Sequence, residues 1–395
     1  MTDSSGEEVN KRVFLVGNRD KKMSRAEADS LARELSGLVD SLGLEVAFKE
    51  IVYVRENHAK YGMGTGKAKE LADKAVSLEV DCIVFDRDIS PSQQRNWEEL
   101  SGLPVIDRQE LIIQIFASRA LTREAELQVR LAELAYALPR LQHKYIDLSR
   151  QRGGRYGTRG SGETRLETDR RSVQRRIKRL EEELEEVKRQ RQVQRKQRER
   201  QGVPVCSLVG YTNAGKSSIL NAMTGAEVLT ENKLFVTLDS TVRRLKLPSG
   251  GQALLVDTVG FIRRLPHSLV NAFRSTLEEV SRSDLILIVL DAADPDLDTH
   301  YKTTLSVLGE LNAGNIPMIT ILNKTDKLEA ETSGEIPEAL LRQFPGCFAV
   351  SALNGKGLKE LNAAIESSLS GKKLAQGQGP EVGAYPEAAK GLLYG

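Results

Sequence analysis

Long apolar runs are absent from this sequence. No stretch of its 395 residues approaches the roughly 18 consecutive apolar residues that cross a bilayer, and no charged-then-apolar leader pattern opens it. Cysteine is scarce: Cys82, Cys206 and Cys347 each lie in or beside a strand-like apolar run. That excludes a disulfide scaffold and a cysteine-rich metal cluster, and leaves three reduced core thiols. Net charge is small as well, at +2. The expectation is a cytoplasmic, monomeric protein without a membrane span. With 40% hydrophobic and 28% charged residues, there is apolar surface enough for the cores of two or three domains.

The near-neutral total hides a segregation. Residues 150–200 hold 18 Lys/Arg against 9 Asp/Glu, a local +9, so the remainder sums to −7. A basic block in an acidic chain invites a polyanionic partner, RNA most simply. A solvated coiled-coil face accounts for the same composition, so charge alone leaves both readings open.

Residues 1–120 alternate strand-like runs (12–17, 46–54, 81–86, 103–107) with helical patterns (from Ser24, then 67–78, 91–100 and on to Ala120), which predicts a small parallel α/β domain. Gly62-Met63-Gly64-Thr65-Gly66-Lys67 imitates a phosphate loop there. Tyr61 stands where the first glycine is needed and Ala68 where Ser or Thr is needed, so a loop entering a helix is expected. In residues 121–201, Leu127, Leu131, Leu134, Leu138 and Leu141 form a heptad seam, and Pro139 is expected to kink or end that helix near Leu138. A second seam runs Leu166, Val173, Ile177, Leu180, Leu184, Val187. The pair reads as an antiparallel helical hairpin with a glycine-rich tip at 153–162. At that tip Arg152, Arg155 and Arg159 can pair with phosphates and Tyr156 can stack on an unpaired base, making them candidate RNA contacts. The plainer alternative is a flexible tip carrying solubilising charge. Residues 202–370 read as a second, complete α/β nucleotide domain, and 371–395, without apolar period, as a disordered tail.

Chemistry concentrates in that second domain. Gly210-Tyr211-Thr212-Asn213-Ala214-Gly215-Lys216-Ser217, followed by Ser218, has the G-x-x-x-x-G-K-S spacing between a strand and a helix. Backbone N–H groups wrap a phosphate, the helix N-terminus adds positive partial charge, Lys216 supplies a point charge and Ser217 suits Mg²⁺. Asn323-Lys324-Thr325-Asp326 follows an apolar strand. A carboxylate there can accept from both guanine donors, N1–H and the exocyclic amine, which adenine does not present, so the ligand is GTP or GDP. Ser351-Ala352-Leu353 follows another strand, where a backbone N–H can meet the guanine oxygen. Asp257-Thr258-Val259-Gly260 offers Asp257 to the Mg²⁺ shell through water and the Gly260 N–H to the γ-phosphate. Phe235-Val236-Thr237-Leu238-Asp239 offers Thr237 as the hydroxyl that closes on Mg²⁺. Lys216, Thr237 and Gly260 are the catalytic candidates. Ras-type GTPases place a water-orienting glutamine after this glycine; here stands Phe261, so unaided hydrolysis should be slow. Asn213 resembles the asparagine of potassium-activated GTPases, which makes K⁺ a candidate second cofactor.

The assembled motifs resemble the HflX family of ribosome-associated GTPases over roughly residues 11–370. The most specific stretch is Gly160-Ser161-Gly162-Glu163-Thr164-Arg165-Leu166-Glu167-Thr168-Asp169-Arg170-Arg171, in which Arg165 stands where the family has glutamine. Ser90 to Asn96, Leu127-Gln128-Val129, Leu138-Pro139-Arg140-Leu141 and the run Phe235 to Thr241 match as well. The resemblance implies a small α/β domain plus helical hairpin joined to a Ras-like GTPase domain. It also implies binding to the large ribosomal subunit and its RNA, with dissociation of stalled or idle ribosomes in the GTP-bound state. Residue reading alone also leaves a GTPase serving RNA modification or ribosome assembly, or a coiled-coil protein dock.

Overall fold

The computed structural model describes residues 11–151, 161–199, 202–264, 279–331 and 336–375. The candidate tip contacts Arg152, Arg155, Tyr156 and Arg159 lie outside them. Packing divides the chain into two compact units: Met1–Ser118 with Glu126–Leu184, and Arg119–Ala125 with Glu185–Gly395.

The first unit is built on a four-stranded parallel sheet. Strands β1 (Arg12–Arg19), β2 (Glu45–Tyr53), β3 (Cys82–Phe85) and β4 (Val105–Asp107) run in the order β2-β1-β3-β4. Helices α1 (Arg25–Ser41), α2 (Thr65–Ser77), α3 (Pro91–Ser101) and α4 (Arg108–Arg119) alternate with the strands. A parallel sheet covered by helices on both faces needs strands apolar in succession rather than in alternation. Val13 to Val16 and Ile83 to Phe85 are accordingly all buried. Local signals set the helix starts. The Ser24 hydroxyl accepts from Glu27 N, and Ser90 with Gln93 forms a reciprocal capping box ahead of Pro91. The imitation phosphate loop enters a helix, as expected: Gly64 caps α2, and Lys67 Nζ is bound by Glu50 Oε1 at 2.7 Å and Glu70 Oε1 at 2.6 Å.

Two long helices follow, α5 (Arg123–Gln151) and α6 (Ser161–Glu199). Of the two outcomes expected at Pro139, a kink or an end, the end does not occur: α5 runs on through it. The residue after the proline explains why. Arg140 donates to Gln94 Oε1 (2.8 Å), Ile89 O (3.1 Å) and the buried Asp107 carboxylate (3.1 Å), and its guanidinium lies 3.4 Å over the Tyr136 ring. Tyr136 itself donates to Asp107 and Glu110. These contacts fix both sides of the proline and outweigh its local penalty.

The second unit holds a six-stranded sheet of order β10-β9-β8-β5-β7-β6. Its strands are β5 (Val205–Gly210), β6 (Thr241–Lys246), β7 (Gln252–Asp257), β8 (Leu285–Asp291), β9 (Met318–Asn323) and β10 (Phe348–Ala349), and only the β6–β7 pair is antiparallel. Among the described residues helices α7 (Lys216–Thr224), α8 (Leu297–Glu310), α9 (Thr325–Glu331), α10 (Glu338–Gln343) and α11 (Leu358–Ala375) accompany it. Leu208, Ile219, Leu255, Leu287, Val289 and Ile321 form its centre. Residues 371–375, expected in the tail, are the end of α11, and 376–395 lie outside the described residues. After β5 the chain builds one side of the sheet and then crosses to the other with β8. The switch point between β5 and β8 is where open α/β sheets bind ligands. The cysteines are free: burial pushes the Cys82 and Cys206 thiols up to about 12. Among the described residues no helix is long and apolar enough to cross a membrane.

Candidate nucleotide-binding site

The loop 210–217 leaves β5 at that switch point and enters α7. Gly215 is in the left-handed region (φ 92°), and a Cβ there would meet Asn323 Nδ2 at 2.2 Å. A Cβ on Gly260 would come within 2.6 Å of the Thr212 backbone. Both glycines are therefore demanded by close approach of other strands' loops. Lys216 Nζ folds back on the loop, donating to Tyr211 O (2.9 Å) and Gly210 O (3.3 Å). Burial pushes Lys216 down to about 8, against the opposing pull of Asp257.

Three oxygen-bearing side chains meet beside the lysine. Ser217 Oγ lies 2.7 Å from Thr237 Oγ1 and donates to Asp257 Oδ2 at 2.5 Å. Asp257 sits at the end of β7, fully buried; burial raises its carboxyl above the usual range although Lys216 opposes this. Its Oδ1 is buried without a hydrogen-bond partner among the described residues. Two hydroxyls and a buried carboxylate with an unsatisfied oxygen fit a hard cation such as Mg²⁺ that keeps part of its water shell.

Around this corner the loops brace one another. Phe235 N donates to Thr212 Oγ1 at 2.8 Å, which stabilises Phe235 in a left-handed conformation (φ 56°) unusual for a bulky residue. Phe261 pairs with the phosphate loop: its N–H donates to Gly210 O (3.0 Å) and its carbonyl accepts from Thr212 N (2.8 Å). The Phe261 ring is buried, so this position directs no polar group at the pocket. Tyr211 stacks on His300 (centroids 3.6 Å, 11°), and its hydroxyl accepts from Arg263 N at 2.8 Å. Asn213, also left-handed (φ 62°), donates through Nδ2 to Asn232 Oδ1 at 2.8 Å.

At the other end, Asn323 is a brace: Nδ2 donates to Ala214 O (3.0 Å) and Oδ1 accepts from Ala352 N (3.2 Å). Lys324 Nζ pairs with Asp291 at 2.7 Å, and Ser351 Oγ donates to Asp326 Oδ1 at 2.6 Å, orienting that carboxylate. The pocket so enclosed is about 770 Å³, within the range of small-molecule sites. Thr212, Asn213, Gly215 to Ser218, Phe235 to Thr237, Thr258, Gly260, Asn323, Lys324, Asp326, Ala352 and Leu353 line it. Gly210, Tyr211, Ala214, Asp257, Val259, Thr325 and Ser351 stand behind as supports, and Leu238 and Asp239 face elsewhere. Residue reasoning missed Leu229, Glu231, Asn232 and Lys233, which line the mouth. The signal was only connectivity: the chain from α7 to Thr237 has to cross the pocket.

Strand order, phosphate loop and guanine-end braces together define a P-loop GTPase. Comparisons with known proteins agree. Residues 29–117 match the model of the GTP-binding GTPase N-terminal region, 119–198 that of the GTP-binding GTPase middle region, and 205–324 that of the 50S ribosome-binding GTPase. The GTPase HflX of Akkermansia muciniphila is 47% identical over 91% of this chain and 84% of its own. The GTPase HflX of Escherichia coli is 43% identical over 91% and 82%. A crystal structure of a GTP-binding protein from Sulfolobus solfataricus in complex with GDP covers 91% of this chain and 99% of its own, with 23% identity and a TM-score of 0.46. The chain belongs to the HflX family of GTPases, as the resemblance implied.

Proposed function

We propose that this GTPase binds the large ribosomal subunit in its GTP-bound state, promotes dissociation of stalled or idle ribosomes in the cytoplasm, and is released by hydrolysis. The observation that carries the ribosomal reading is a cationic face of α6. Thr168, Arg171, Gln174, Arg175 and Lys178 recur at helical spacing and line one shallow hollow. Such a stripe neutralises consecutive backbone phosphates, and the match to a 50S ribosome-binding GTPase supports rRNA as their source. The tip residues Arg152, Arg155, Tyr156 and Arg159 belong to the same proposed interface.

Within the pocket, the guanine edge is read by Asp326, held by Ser351, while the Ala352–Leu353 backbone meets the guanine oxygen. Lys216 leaves its carbonyl partners for the terminal phosphates. Ser217 and Thr237 would hold Mg²⁺, with Asp257 bonded to its water. Held there, Mg²⁺ would supply positive charge to offset that of the phosphates. The Gly260 N–H meets the γ-phosphate. The buried Phe261 cannot orient the attacking water, so the ribosome supplies or completes that arrangement. Asn213, whose Nδ2 is engaged by Asn232, would offer its Oδ1 to K⁺; equal turnover in potassium and sodium buffers would discard that role.

Sedimentation of ribosomes with the protein and a non-hydrolysable GTP analogue tests the reading. The expected result is comigration with large subunits and loss of joined ribosomes. No comigration and an unchanged ribosome profile would overturn it.

A further inference from the structure

The segment 231–239 crosses the pocket mouth and delivers Thr237 to Ser217. Something outside the pocket holds both of its ends. Arg119, the last residue of α4, and the link 120–122 to α5 belong to the same compact unit as the pocket. Arg119 Nη2 lies 3.3 Å from Glu231 Oε2 at one end of the segment. At the other end the Asp239 carboxylate accepts three bonds: Leu121 N at 3.0 Å and Thr122 N at 3.1 Å on Oδ2, and the Thr122 hydroxyl on Oδ1. Thr122 is also the cap of α5, its Oγ accepting from Ala125 N at 3.2 Å. Asp239 thus sits at the positive end of a long helix, where a carboxylate is favoured beyond its individual bonds.

From this we infer that Arg119 and Thr122 are positioning residues for the GTPase reaction: they strap segment 231–239 in its closed position and so favour GTP over GDP. The inference rests on the reading of Thr237 as the hydroxyl that closes on Mg²⁺. Between the strapped ends the segment has little freedom. Phe235 N is tied to Thr212, Leu238 is buried, and Thr237 is two residues from Asp239. With Phe235 tied to Thr212 and Asp239 held by three bonds, Thr237 lies between two anchors each two residues away, so withdrawing it from Ser217 strains one anchor or the other. Retention of Thr237 and retention of the strap are therefore one equilibrium. Whatever favours closure by binding through Thr237 tightens the strap, and the strap in return tightens that binding by the same factor. GDP, which does not require the closed hydroxyl, gains little.

The experiment compares affinities of GDP and a non-hydrolysable GTP analogue, with Mg²⁺, for the full chain and for Arg119→Ala, Thr122→Ala, Thr122→Ser and the double alanine variant. Hydrogen exchange of the unaltered protein is measured alongside. Arg119→Ala, which loses one partly exposed pair, is expected to weaken analogue binding about twofold. Thr122→Ala should weaken it about fivefold and the double variant about tenfold, each leaving GDP binding unchanged, with Thr122→Ser restoring it. A merely structural role would shift both nucleotides together. In the unaltered protein, Leu121 and Thr122 amides should exchange more slowly with the analogue than with GDP. If the loop amides of 215–218 are protected by both nucleotides but strap exchange is identical in the two, or the affinity ratio is unmoved in the variants, the strap is passive and the inference falls alone. If neither nucleotide protects 215–218, the inference falls together with the GTP reading beneath it.

Discussion

The chain carries two glycine-rich loops ending in lysine, each opening a helix beside a parallel sheet, and they do different work. Lys67 is held between Glu50 and Glu70, and the two bonds raise it above its ordinary value. Among the described residues Lys216 has only loop carbonyls as hydrogen-bond partners on its ammonium, and burial pushes it down to about 8. One cation is already neutralised by its neighbours; the other is buried at a cost that an incoming phosphate would relieve. What separates a binding loop from its imitation is whether the fold has left the charge to be completed.

The largest effect expected concerns ligand choice at the second loop. Asp326→Asn replaces an acceptor pair with one donor and one acceptor, so GTP affinity should fall by about a thousandfold: one bond becomes a donor–donor clash and the other loses its charge. Xanthosine triphosphate, with a carbonyl where guanine has its amine, should bind the variant better than GTP does. Titration with both nucleotides checks this, and unchanged GTP binding would remove Asp326 from the guanine edge. Lys216→Ala comes next, with a loss on the order of a hundredfold for both nucleotides.

Much of the pocket was legible in the sequence, because each part of its chemistry is carried by short spacings within a single strand–loop–helix passage. Gly215-Lys216-Ser217 and Asn323 to Asp326 could be read directly, and Phe261 announced a missing polar group. The strap could not. Thr122 and Asp239 are 117 positions apart, and Thr122 alone reads as a helix cap. Pro139 failed in the other direction. Its local rule is sound, but Arg140 makes contacts in the first unit that no helix pattern encodes. Leu229 and Glu231 were invisible because a pocket mouth is made by where a connection passes.

The depressed Lys216 sharpens the contrast through pH. A phosphate favours the protonated lysine, which the free protein holds below about 8. Below that value affinity should be flat. Above it, binding must take up a proton, and GDP affinity should fall by up to about tenfold per pH unit until the bound lysine also titrates. Calorimetry from pH 7 to 9.5 in buffers of differing ionisation enthalpy detects the proton uptake directly. A smaller effect is expected where the loop is braced: Tyr211→Phe removes the bond to Arg263 N but keeps the His300 stack, so it should lower turnover a few-fold.

The smallest effect tests the comparison from its other side. Lys67→Ala removes a lysine from a glycine-rich loop, which by motif alone should damage nucleotide binding as Lys216→Ala does. The geometry says otherwise. Glu50 keeps Lys74 at 2.9 Å as a partner, so its carboxylate is not left alone, and Lys67 itself is about one-third exposed. The stability cost should stay within about 0–1 kcal/mol, typical of a partly solvated pair. GTP and GDP affinities should remain within about twofold of the original, because the bonds that Lys67 makes satisfy Glu50 and Glu70 and end there. A drop of tenfold or more would mean that the first loop also binds phosphate, and that occupied lysines can be released as readily as buried ones.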